Sequence, residues 1–81
     1  MMFEQHKHKR VSEEISEVII NSINSGDLEV GDKLPPERLL SEELGVSRSS
    51  LREALCILSG MGYINSAIGS GSYVKMKKSH E

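Results

Sequence analysis

Apolar residues recur at helical spacing early in the chain. Val11, Ile15, Val18, Ile19 and Ile23 form one stripe, and Gly26 follows where a helix C-terminus favours glycine. The pattern predicts a first helix over about 10–24, with Glu13, Glu14 and Glu17 near its start, where the helix dipole favours acids. The stretch from Asp27 to Pro36 holds Gly31 and two prolines and reads as a loop, with a short extended piece at Lys33-Leu34. Pro36 suits the first turn of a second helix, because its missing N–H costs nothing there. That helix, PERLLSEEL, is expected to bury Leu39, Leu40 and Leu44 and to stop at Gly45.

Ser47 is a good N-cap for a third helix from Arg48 to about Ser59. Leu51, Ala54, Leu55 and Leu58 give its buried stripe. An advance of about 100° per residue places Ser49, Arg52 and Cys56 on the opposite face, with Arg48 at its edge. Gly60 and Gly62 are expected to end the helix. Two strand-like runs, Tyr63–Ile68 and Ser72–Met76, flank Gly69-Ser70-Gly71 and read as a hairpin. The fold class is therefore mainly α with a small β-hairpin. Two helices joined through Gly45-Val46-Ser47-Arg48 and followed by a hairpin make a winged helix-turn-helix, three helices plus a wing. The domain spans 9–76, and the tails at 1–8 and 77–81 read as disordered.

Composition narrows the function. At 81 residues, 37% hydrophobic and 27% charged, the chain is one small soluble domain. It has no Trp and three other aromatic residues, so Ile, Leu, Val and Met must build the core. No apolar run approaches the roughly 20 residues that span a bilayer, and the N-terminus lacks the apolar stretch of a signal peptide. Cys56 is the single cysteine, and no zinc-ligand spacing is present. His6, His8 and His80 are dispersed in the tails, so a metal site is not expected. These features point to a cytoplasmic chain without cofactor. It is too small to enclose a deep catalytic cleft, so binding is favoured over enzymatic activity.

The net charge of −2 is unevenly spread. Residues 11–32 carry six acids and no base, whereas residues 54–80 carry Lys75, Lys77 and Lys78 and no acid. A polyanionic partner would have to meet a face other than the acidic block. Lys7, Lys9 and Arg10 are placed to touch phosphate from the start of the first helix.

The stretch from Gly31 to Val74 closely resembles the DNA-binding domain of GntR-family bacterial transcription regulators. G-D-K-L-P, P-E-R-L-L, L-G-V-S-R, L-R-E-A-L and G-S-G-S-Y-V carry the match, in the family's order and spacing. With the first helix the resemblance covers about residues 9–75. The PPER and LREAL forms look most like the FadR-type branch. Regulators of that branch carry an all-helical effector-binding domain after the wing. This chain ends at Glu81, so the expectation is a truncated piece of a longer regulator rather than a natural short form. Any small-molecule effector would bind the missing C-terminal domain.

The resemblance implies sequence-specific binding of double-stranded operator DNA, with the third helix (about 48–59) in the major groove of a palindromic half-site. A homodimer is expected on DNA or in the full-length protein. Arginine suits guanine because its planar fork reaches O6 and N7 together. Arg48 and Arg52 match family positions that contact bases or adjacent phosphates. Arg38 matches the arginine of the P-x-E-R motif, which also reaches DNA; an i, i+4 ion pair with Glu42 is its other reading. Ser47 is a cap first and a phosphate ligand second, and Ser49 and Ser50 are short donors suited to phosphate oxygens. The wing departs from the family pattern, because its tip carries no charge. Gly69 is the best candidate contact there, and an electrostatic contribution from the wing would have to come from Lys75, further back. The alternative is a plain hairpin that closes the core with Tyr63, Ile64, Tyr73 and Val74. A winged helix can also serve purely as a protein-interaction module, a reading that the acidic first helix and uncharged wing would fit.

Overall fold

A computed structural model describes residues 10–67 and 71–76. Three helices and a hairpin follow in chain order: α1 (Val11–Ser25), α2 (Glu37–Leu44), α3 (Arg48–Met61), β1 (Ile64–Ala67) and β2 (Gly71–Val74). The two strands are antiparallel, with Ile64 opposite Val74 and Ala67 opposite Gly71. The loop before α2 runs along the other edge of β2. Leu34 N–H donates to Ser72 O, Val74 N–H to Asp32 O and Gly31 N–H to Val74 O, each at 2.8 Å. Lys33 is bridged to Tyr73 here, so the extended piece expected at Lys33-Leu34 pairs with the free edge of β2 through an isolated bridge rather than a strand.

Every element contributes to one apolar core. Ile15, Ile19 and Ile23 of α1 meet Leu40 of α2, Leu51, Ala54 and Leu58 of α3, Ile64 and Val74 of the hairpin, and Leu34 and Tyr63 from the connections. Ser12 and Ser16 are buried on the same side of α1 as the isoleucines, and Ala54 is fully buried on α3. These small side chains let α1 and α3, the most extensive helix pair, approach closely.

Several sequence expectations change. Leu39 is 45% exposed, because two turns of helix present only Leu40 squarely to the core and Leu39 lies about 100° around. Leu44 and Leu55 are only partly buried. Val11 and Val18 lie at the edge of the α1 stripe; with Leu44 and Val46 they line an open groove and stay about half exposed. Pro36 is the N-cap of α2 rather than its first helical residue, and its carbonyl accepts from Leu40 N–H at 2.9 Å. Gly60 does not end α3; the helix runs through it to Met61, and Gly62 is the cap. Of the hairpin, Ile68, Gly69 and Ser70 lie outside the described residues.

Three residues, Gly45, Val46 and Ser47, turn α2 into α3, and Arg48 is already helical. Gly45 sits at φ +70°, a left-handed conformation that L side chains resist. This turn sets the two helices so that the start of α2 lies beside the first turns of α3.

Candidate nucleic-acid interface

The start of α3 is built on serines. Ser47 Oγ accepts from Ser50 N–H at 3.1 Å, as the sequence predicts for an N-cap. The same hydroxyl donates to Ser50 Oγ at 3.0 Å and lies 3.4 Å from Ser49 Oγ. The three hydroxyls thus form one cluster at the positive end of a helix dipole, an arrangement suited to anionic oxygens.

Arg48, among these serines, and Arg52, one turn further, project from the exposed side of α3 toward one carboxylate. Arg52 grips Glu37 at two points, Nε to Oε2 at 3.3 Å and Nη2 to Oε1 at 3.0 Å. Arg48 Nη2 lies 3.9 Å from the same Oε1. Glu37 is the first residue of α2, so this contact spans the helix-turn-helix. The hydrogen bond from Arg52 is the main cause that holds the Glu37 carboxyl below its ordinary range; partial desolvation opposes it, and the charges of Arg52 and Arg48 add to it. The same hydrogen bond pushes the Arg52 guanidinium upward.

Both arginines remain more than half exposed, at 56% and 59% of the side chain. Arg52 is oriented by its hydrogen bonds to Glu37, and Arg48 lies near the same carboxylate. Two exposed planar forks one helical turn apart have the geometry to pair with base edges or phosphate oxygens. Arg38, adjacent to Glu37 in sequence, is 65% exposed and 3.8 Å from Glu42. That is the i, i+4 pair read as its alternative role, a single loose contact that leaves the guanidinium accessible.

The structure therefore brings Arg48, Arg52, Ser47, Ser49 and Ser50 to one end of α3, and places Arg38 at the start of the adjoining α2. Gly69 lies outside the described residues, as do Lys7 and Lys9. Arg10 donates to Glu53 of α3 at 2.9 Å, which ties the start of α1 to the same helix. Cys56 is an exposed free thiol. Among the described residues no group of three or more His, Cys, Asp or Glu is placed to hold a metal, and no helix is long and apolar enough to cross a membrane.

Sequence reasoning missed Glu37. It stood inside the quoted P-E-R motif, but its partner Arg52 is 15 residues away. Only the turn at Gly45 makes them neighbours.

The model of the family described as "Bacterial regulatory proteins, gntR family" matches residues 11–74. An uncharacterized HTH-type transcriptional regulator of Mycobacterium tuberculosis is 45% identical over 74 residues, covering 91% of this chain and 31% of the relative. The Glc operon transcriptional activator of Escherichia coli is 46% identical over 68 residues, covering 84% of this chain and 27% of the relative. The chain thus spans less than a third of these curated relatives. Among solved structures, AraR(DBD) in complex with operator ORR3 superimposes with a TM-score of 0.79 at 28% identity, covering 91% of this chain and 89% of that one. A match over most of the chain, a shared fold and relatives above 40% identity agree, and the chain belongs to the GntR family of bacterial regulatory proteins.

Proposed function

We propose that residues 9–76 form the DNA-reading head of a transcription regulator. In this reading α3 enters the major groove of an operator half-site. Arg48 and Arg52 contact base edges, while Arg38 and the Ser47, Ser49 and Ser50 hydroxyls hold the flanking phosphates. Gly69 is the proposed close approach of the wing. The carrying observation is the pair of exposed guanidinium groups, Arg48 and Arg52, one turn apart at the start of the helix that a winged helix-turn-helix inserts, with Arg52 oriented by Glu37 and Arg48 beside the same carboxylate. The superimposable AraR domain is in complex with an operator, which supports DNA binding by this fold.

The finer parts of the reading rest on the resemblance. The PPER and LREAL forms favour the FadR-type branch, an effector would act through a further C-terminal domain, and a palindromic operator would be covered by a homodimer in the cytoplasm. One head alone is expected to bind weakly, because it lacks the effective concentration of a linked pair.

The test compares affinity for a specific duplex and for random-sequence duplex, by fluorescence anisotropy at fixed salt. Arg48→Ala and Arg52→Ala are each expected to lose about 5- to 150-fold on the specific duplex and much less on random DNA. Equal losses on both would make the arginines phosphate anchors and would overturn the base-reading role.

A further inference from the structure

The hairpin from Tyr63 to Val74 contains no charged residue, although a wing that approaches DNA lies against a polyanion. We infer that Lys33, which precedes α2 and lies outside the hairpin in sequence, supplies the wing's cation and binds a DNA phosphate beside the groove read by α3. This rests on the DNA-binding reading above.

Three observations place that ammonium. The Lys33 backbone is bridged to Tyr73 across the edge of β2, which fixes it to the hairpin rather than to a free loop. The Nζ lies 6.0 Å from the centre of the Tyr73 ring, a separation at which the ring face attracts a cation. The Lys33 side chain also leans toward the hairpin turn. Its Cε lies 3.1 Å from where a Cβ on Gly71 would stand, two residues closer to the turn than its backbone partner. Gly71 stands at φ +92°, a left-handed backbone that favours glycine, and its lack of a Cβ leaves room for the lysine stem.

The face is also determined. Along β2, Val74 is buried in the core, so Tyr73 and Gly71 occupy the outward side of the strand. Lys33 therefore rests across the outer face of the wing, its stem over Gly71 and its charge over Tyr73. A flexible lysine so held loses little further freedom on meeting a phosphate. Because a phosphate contact carries no sequence information, Lys33 would fix the register of the head on the duplex rather than its base preference.

Removing one phosphate contact lowers the salt slope of binding by about 0.9. The experiment measures affinity of the 81-residue protein between 50 and 200 mM salt, on a duplex enriched from a random pool and on random-sequence DNA. Lys33→Gln is expected to flatten the slope by about one on both duplexes, so that about 3- to 4-fold less affinity is lost over that salt range. Lys33→Arg keeps the slope. An unchanged slope for Lys33→Gln beside intact, arginine-dependent binding overturns the role of Lys33 alone. Absence of arginine-dependent binding by the wild-type protein overturns the DNA-binding reading itself.

Discussion

Arg52 closes a two-point hydrogen bond on Glu37, at 3.0 and 3.3 Å, across the turn between α2 and α3. Arg52 is more than half exposed and solvent screens the pair, so its worth to global stability is small. Its consequence is orientational. A free arginine samples many rotamers, whereas this one presents its open edge in a fixed direction. Arg48 Nη2 approaches the same carboxylate at 3.9 Å without a hydrogen bond, so Glu37 orients Arg52 and only attracts Arg48 electrostatically.

That relationship predicts how Glu37 titrates. Its folded pKa lies below the ordinary 4.5, so the contact is fully present above that pH and is lost as pH falls through the lower folded value. Carboxyl-carbon NMR is expected to give a Glu37 midpoint below 4.5, and Arg52→Ala should move it upward. A midpoint unchanged by Arg52→Ala would show that the hydrogen bond does not hold the carboxylate.

Glu37→Gln should separate affinity from discrimination. It removes one negative charge from the proposed interface, so binding to random-sequence DNA is expected to tighten about threefold. It also leaves Arg52 a single acceptor oxygen in place of two, so the preference for the specific duplex over random DNA is expected to fall. Parallel gains on both duplexes would mean that Glu37 only repels DNA and does not position Arg52.

Ser47→Ala removes the cap that receives Ser50 N–H and breaks up the hydroxyl cluster. Loss of an N-cap costs about 1 kcal/mol, which for a domain of this size lowers Tm by roughly 4–8 °C. Thermal denaturation followed by circular dichroism measures this. Ser47→Asp, which restores a cap but adds negative charge, should recover Tm and still bind DNA poorly.

Two glycines should respond in opposite directions. Gly45→Ala meets no atom within 4 Å, so its cost is the left-handed backbone alone, about 1–2 kcal/mol, and Tm should drop. Gly60→Ala also has open space but stands inside α3, where alanine is the better helix former by about 0.5–1 kcal/mol, and Tm should rise. A fall in Tm for Gly60→Ala would contradict the continuous helix to Met61.

Most of the architecture was legible in local pattern. The isoleucine stripe of α1, the cap at Ser47 and the Leu51-Ala54-Leu58 face each depend on residues within two turns of one another, which periodicity captures. Where tertiary context decides, the pattern misled. Leu39 and Leu40 are equally apolar, and only the placement of α2 buries one and not the other. Gly60 looks like a terminator, yet the left-handed cap forms at Gly62. The candidate site divides the same way. Its arginines and serines could be named from sequence, but Glu37 and Lys33 act on residues 15 and 40 positions away, through contacts that the folded chain creates.

The most direct test of the account is selection of duplexes from a random pool by this protein, run beside the Arg48→Ala/Arg52→Ala double variant. Enrichment of a guanine-containing half-site by the wild-type protein, abolished in the double variant at equal helical content, is the predicted result. Enrichment of the same half-site by both proteins would contradict the claim that α3 reads DNA through these two arginines.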